Sequence, residues 1–292
     1  MPEGHTIHRL ATQLQDVFAQ QKLNAMSPQG RFAAGAARID GEILVAARAH
    51  GKQLFVQFSN QAILRVHLGL YGAWDFGGDA TFRGASSIGA PRRLGERELA
   101  SEDLPYKGPP EPIGAVRLRL VSQHGWADLR GPSACEVLTA AEARAIQAKL
   151  GPDPLNSGQE ATLAGEAEFL RRVRSSARPV AVLLMAQNVV AGIGNVYRAE
   201  LLFRAKINPM LSGKQLSITK ARELWLDAVV LLNRGVTDGR IITTEPGDCD
   251  EPADVHYVYK RVGQPCFSCG TEIAGSVLAG RNLFFCPSCQ LG

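Results

Sequence analysis

From Ile7 onward, the apolar residues Leu10, Ala11, Leu14, Val17 and Phe18 recur at three- and four-residue spacing. That is the period of one helix face, and it predicts a helix starting almost at the N-terminus, with Pro2 and Glu3 just ahead of it. The pattern then changes to alternating or β-rich runs at 42–47, 53–58, 62–68 and 115–121, bounded by Gly51, Asn60, Gly69 and Gly125. Such runs predict an antiparallel sheet region. Residues 77–114 carry Gly, Pro and charge without a period and read as a long irregular insertion. After Gly131 and Pro132 a helical period takes over. A helix is predicted at 139–150, with acidic residues early and Lys149 late as the helix dipole favours, and Gly151-Pro152-Asp153-Pro154 stops it. Further helices are predicted at 165–175, 179–187, 196–205 and 218–234, with Pro179 placed to begin one. The expected layout is an α+β chain: a β-rich N-terminal domain (1–131), a helical domain (132–260) and a C-terminal hairpin (261–292).

Composition narrows the class. The 292 residues suffice for about two domains. Hydrophobic residues at 45%, charged residues at 21% and a net charge of +4 are ordinary for a globular protein and exclude disordered and fibrous chains. The longest purely apolar stretches, such as 181–185 and 228–232, fall far short of the roughly 18 residues a membrane span requires. The N-terminus lacks the apolar segment of a signal peptide, so the expected location is the cytosol.

Cysteine spacing adds chemistry. Cys135 and Cys249 are isolated and read as small buried or surface residues, whereas Cys266, Cys269, Cys286 and Cys289 form CxxC, a gap of 16 residues, then CxxC. Two hairpin knuckles at that spacing present four thiolates to a structural zinc ion. The competing reading, an unmetallated redox pair, needs a βαβ context that the glycine-rich flanks do not offer.

Two other segments have chemical potential. In Val190-Ala191-Gly192-Ile193-Gly194-Asn195-Val196-Tyr197-Arg198, glycines permit a tight turn and the following helix start suits a phosphate. A plain helix–helix turn with Asn195 as N-cap is the alternative. Arg171, Arg172, Arg174 and Arg178 before the turn, and Arg198, Arg204 and Lys206 after it, suit either a polyanion or a solvated face. At the N-terminus, removal of Met1 exposes the secondary amine of Pro2, partly unprotonated at neutral pH and able to attack an electrophilic carbon. The Glu3 carboxyl beside it is positioned by sequence to exchange protons.

The opening MPEGHTIHRLA, then HGKQLFVQF, HLGLYGAW, QNVVAGIGNVYRAELLFRAKINP and CFSCG…GRNLFFCPSCQ, in that order, resemble the formamidopyrimidine-DNA glycosylase and endonuclease VIII family over nearly the whole chain. The resemblance implies an N-terminal β-sandwich domain, a helix-two-turn-helix domain and a C-terminal zinc β-hairpin. It implies a bifunctional DNA glycosylase and abasic-site lyase of base excision repair that acts on damaged DNA, as a monomer, in the cytoplasm with the nucleoid. By resemblance, Pro2 is the nucleophile that forms a Schiff base with C1′ of a flipped nucleotide, and Glu3 the proton donor that opens the sugar. Lys52 would contact the lesion phosphate and serve β-elimination, Asn195 would bind phosphate, and Arg281 would bind phosphate and serve δ-elimination. Leu70 and Tyr71 stand where the family places its void-filling loop, against the alternative of strand-end core packing. Gly69 offers no side chain for reading the opposite base, and Arg130 is a further DNA-contact candidate. The stretch 243–260 is short for the capping loop of the formamidopyrimidine branch, and LYG resembles the endonuclease VIII branch, with actinobacterial proteins most similar, so oxidised pyrimidines are the favoured substrates. A non-catalytic zinc-containing DNA-binding protein is the competing class.

Overall fold

A computed structural model of the chain describes residues 2–90, 108–156, 159–248 and 255–291. Met1, Cys249, the centre of the 77–114 stretch and part of 243–260 lie outside the described residues. The chain divides into two compact units, 1–148 and 149–292.

The first unit opens with α1 (Gly4–Phe18) and the short β1 (Asn24–Met26) and α2 (Ala33–Ala37). Next come β2 (Leu44–His50), β3 (Gln53–Phe58), β4 (Ile63–His67), β5 (Ala73–Gly78) and β6 (Ser87–Gly89). Finally β7 (Val116–Val121), β8 (Gly125–Arg130), β9 (Ala134–Leu138) and α3 (Ala140–Gln147) complete it. The strands make a five-stranded sheet, β1-β7-β8-β5-β6, and a four-stranded sheet, β2-β3-β4-β9. Strand alternation sends Leu54, Val56, Leu64 and Val66 from one sheet, and Trp74, Leu118, Leu120 and Leu129 from the other, into one core. Ile7, Leu10, Leu14 and Phe18 of α1 join that core, using the face predicted from sequence. The result is the β-sandwich that the resemblance implied.

Two expectations are corrected here. Residues 77–90 are not irregular throughout: Gly77 and Gly78 pair with Trp126 and Gly125, and β6 adds an edge strand to β5. The sequence boundary after residue 131 precedes β9, which pairs with β4, and α3, which packs on the outer face of that sheet through Ala143 against Phe55 and Leu138. β9 is too short to show a period of its own, and its place is fixed by a partner about 70 residues upstream in sequence, such as Val66 for Cys135.

The second unit holds α4 (Gln159–Arg174), α5 (Val180–Leu183), α6 (Asn195–Arg204) and α7 (Ile218–Asp238), followed by the hairpin β10 (Ala274–Leu278) and β11 (Arg281–Phe285). Phe169 of α4 stacks on Trp225 of α7 in the core, their ring centroids 5.6 Å apart. The predicted helix at 179–187 is corrected to a single turn. Its first amides bond outside the helix, Val180 to the Leu211 carbonyl and Ala181 to that of Pro209, and after Leu183 the chain continues in three-residue turns. Helix α6 is buried from Asn195 to Phe203, its polar residues Asn195, Arg198 and Glu200 included. The buried Glu200 carboxylate accepts from the amides of Tyr257, Val258 and Tyr259 at 2.7, 2.9 and 2.8 Å and from the Thr243 hydroxyl at 2.5 Å. That set of bonds ties the segment leading into the hairpin to α6.

Candidate functional site

The N-terminal cluster is built on α1 and the β2–β3 hairpin. Glu3 is the N-cap residue of α1, fully buried, and Pro2 is buried beside it. Gly51, at φ 57°, and Lys52 form the two-residue turn that joins His50 to Gln53, a geometry that glycine allows at its first position. This turn carries the half-buried Lys52 close enough to two histidines for its charge to be felt by both. Burial, then neighbouring positive charges that include those of Arg9 and Lys52, pushes His5 down to about 4. Burial and then Lys52 and Arg65 also lower His67. Both imidazoles are therefore neutral at physiological pH.

Leu68, at the end of β4, accepts from the Gly72 amide at 3.0 Å, which closes a tight turn with Leu70 and Tyr71 at its tip. Leu70 is 50% and Tyr71 75% exposed, so neither is strand-end core. Gly69 has φ 67°, and a Cβ on it would stand 2.9 Å from the Ser133 Cβ; only glycine fits. Ser133 donates to the His67 carbonyl at 3.0 Å and meets His67 Nδ1 at 2.6 Å, holding the base of the turn. His5, His67 and Ser133 were not singled out in the sequence. The histidine that opens HLGLYGAW was the available signal for His67. Arg130 has an internal role: it makes a two-nitrogen contact with the buried carboxylate of Asp75.

In the second unit the glycine turn is laced by Gln187, whose side chain accepts from the Gly192 amide at 3.0 Å and donates to the Ile193 carbonyl at 3.0 Å. Gly194, not Asn195, is the N-cap of α6, which corrects that alternative. Asn195 is the first helical residue, and its Nδ2 donates to the Asn282 carbonyl at 3.0 Å. Much of the arginine run is engaged internally: Arg171 and Arg172 with Glu168, Arg174 with the Leu216 carbonyl, Arg204 with Asp227. Arg281 is exposed beside the hairpin turn Ala279–Gly280, whose φ values of 49° and 73° are those of a type I′ turn.

The four hairpin cysteines come together, with their sulfurs all within 4.8 Å of one another. The Cys266–Cys289 and Cys269–Cys286 separations are 3.9 and 3.5 Å. Zn–S bonds of about 2.3 Å in a tetrahedron put sulfurs about 3.8 Å apart, so the donor set fits zinc in both chemistry and spacing. Cys135 lies apart in β9 as a partly buried thiol, pushed by burial up to about 12.

A β-sandwich led by a buried Pro-Glu pair, a helical unit with a glycine turn and a four-thiolate hairpin together define a DNA glycosylase architecture. Three family models match in this order: the formamidopyrimidine-DNA glycosylase N-terminal domain at 1–125, the formamidopyrimidine-DNA glycosylase H2TH domain at 150–246, and the zinc finger found in FPG and IleRS at 263–291. The chain belongs to the formamidopyrimidine-DNA glycosylase and endonuclease VIII family. It is 39% identical over 298 aligned residues to Endonuclease 8 1 of Mycobacterium tuberculosis, an alignment covering 99% of this chain and 100% of that one. It is 35% identical over 151 residues to formamidopyrimidine-DNA glycosylase of Thermus thermophilus, covering 49% of this chain and 54% of that one. Among solved structures, the MutM (Fpg) protein of Thermus thermophilus superposes with a TM-score of 0.72 at 26% identity, over 99% of this chain and 98% of that one. Lactococcus lactis Fpg, in a complex with DNA containing an abasic site, shares the fold with a TM-score of 0.73 at 21% identity, over 99% of this chain and 100% of that one. Among the described residues no helix is long and apolar enough to cross a membrane.

Proposed function

We propose that the protein is a bifunctional DNA glycosylase and abasic-site lyase of base excision repair that removes oxidised bases, pyrimidines in preference, and acts as a monomer. The observation that carries this reading is the buried Pro2–Glu3 pair at the head of α1, with Lys52 brought in by its turn, in a chain matched end to end by an Endonuclease 8 relative. With Met1 removed, the Pro2 nitrogen attacks C1′ of an extruded nucleotide. The glycosidic bond breaks with its electron pair going to the base, and the sugar opens to an iminium as Glu3 delivers a proton. Loss of a C2′ proton, assigned to Lys52, then expels the 3′ phosphate by β-elimination. A second elimination, assigned to Arg281, expels the 5′ phosphate. Extrusion leaves a hole in the base stack, and the exposed pair Leu70 and Tyr71 is the group available to fill it. Asn195, Lys52 and Arg281 hold phosphates, whereas Arg130, engaged with Asp75, supports the sandwich. Zinc, when bound by the four cysteines, supplies folding energy to the hairpin.

Borohydride trapping on duplexes carrying thymine glycol, 8-oxoguanine or no lesion tests this reading. A covalent adduct on thymine glycol, weak or absent on 8-oxoguanine, is expected. If protein shown by mass to lack Met1 gives no adduct on either lesion or on an abasic site, the chain binds DNA without the proposed chemistry.

A further inference from the structure

Arg281 is assigned a phosphate and an elimination step, yet it is the exposed first residue of β11, next to the two-residue turn of a small hairpin, a poor place from which to aim a guanidinium. What fixes it lies one residue further along. In an antiparallel hairpin closed by Leu278 and Arg281, the next pair, Val277 and Asn282, is the non-hydrogen-bonded one, and its carbonyls point away from the partner strand. The Asn282 carbonyl is taken up by α6: Arg198 Nη2 donates to it at 2.6 Å and Asn195 Nδ2 at 3.0 Å. Asn195 and Arg198 are three residues apart on α6 and therefore share a face. Arg198 is 1% exposed, so its own charge is not available to DNA. Beyond this carbonyl, Leu283 enters the helical core and Phe284 packs with Ala199 and Phe203 of α6, so the strand is held on both sides of its chain direction.

We propose that Arg198 is the positioning residue for Arg281: by holding the Asn282 carbonyl, it sets the hairpin cation and the Asn195 phosphate contact as one rigid piece. This rests on the assignment of Arg281 to δ-elimination made above. Arg198 does not touch the substrate, and its effect reaches the reaction only through the backbone of Asn282.

The test uses the full-length, zinc-loaded protein on an abasic-site duplex, scoring the ratio of δ- to β-elimination products, the kcat and KM of strand cutting, and the borohydride trapping rate. Arg281→Ala is the benchmark. Arg198→Met is expected to lower the δ/β ratio by roughly tenfold to a hundredfold, since a displacement of about an ångström can cost a reacting group about a hundredfold, with trapping at Pro2 unchanged. Arg198→Lys, which keeps one charged donor, is expected to restore part of the ratio, and the double variant with Arg281→Ala to behave like Arg281→Ala alone. If Arg281→Ala lowers the ratio but zinc-loaded Arg198→Met does not, the positioning role is overturned and the assignment of Arg281 stands. If Arg281→Ala itself leaves the ratio unchanged, that assignment fails and the inference falls with it. Should Arg198→Met lose zinc, Arg198→Gln, uncharged and similar in its first carbons, takes its place under the same two outcomes.

Discussion

Asp75 and Arg130 form a two-nitrogen ion pair on the side of the five-stranded sheet that faces away from the core, with Asp75 1% exposed and the Arg130 Nη2 contact at 3.1 Å. Two residues back along β8, Asp128 makes a similar pair with Arg119, both contacts at 2.7 Å. Removing one partner of such a pair leaves the other's buried charge without its ion partner, at about 3–5 kcal/mol. Arg130→Ala is therefore expected to lower stability by about 3 kcal/mol in urea denaturation. The salt dependence of DNA affinity should stay as it is. Unchanged stability with weakened DNA binding would return Arg130 to the DNA surface.

The hairpin should depend on its metal. Cys286 and Cys266 are buried, and the Cys286 amide donates to Gln290, whose side chain also donates to the Ile207 carbonyl. Chelation or Cys286→Ser is expected to unfold the hairpin and weaken DNA binding. Zinc content followed together with binding checks this, and full affinity in metal-free protein would refute it.

Acid should destabilise the first unit through His5. Its folded pKa, about 4, lies below the ordinary 6.5, so between those values the unfolded chain binds more protons. Stability is therefore complete above about pH 6.5 and is lost as pH falls toward 4, by up to about 3 kcal/mol for the full shift. His67 is shifted in the same direction and adds to the effect. Unfolding midpoints between pH 4 and 7 should show this slope, and His5→Gln should flatten it; a parallel slope in the variant would exclude His5 as the source.

The exposed turn offers a separation of function from folding. Leu70→Ala and Tyr71→Ala remove little packing and should change stability by no more than about 0.5 kcal/mol. Excision from duplex DNA should fall, and fall less for a lesion in single-stranded DNA, where no stack has to be opened. Equal losses on both substrates would argue against a role in filling the gap.

Phosphate contacts leave a signature in salt. Lys52→Ala and Arg281→Ala are each expected to reduce the slope of log affinity against log salt by about one. A slope identical to that of the unmodified protein would remove the residue from the phosphate contacts.

Much of this was legible in local pattern. The helix over 7–18, the strand 53–58 and the four cysteines declared themselves because their signals repeat within a few residues. What stayed hidden depends on residues distant in sequence. The Asp75 partner of Arg130 is 55 positions away, so nothing local in the sequence shows that this arginine is engaged by a buried carboxylate. The Ser133 that forbids a side chain at Gly69 lies 66 residues from His67, and the carbonyls of Pro209 and Leu211 that cap α5 lie beyond α6. The arginines around the glycine turn looked available as a group because sequence shows charge but not the acceptors Glu168, Asp227 and the Leu216 carbonyl. Asn195 was singled out by its motif, while its actual partner, a backbone carbonyl of the hairpin, has no sequence signature at all.

The β4–β5 turn separates what is constrained from what is not. Its backbone is fixed by the Gly72–Leu68 hydrogen bond and by Ser133 against Gly69, while the two side chains at its tip contribute almost nothing to packing. Substitutions at 70 and 71 are thus nearly neutral for folding. The tip residues can be exchanged with the frame beneath them left intact, so what the turn presents to its surroundings is set apart from what holds it in shape.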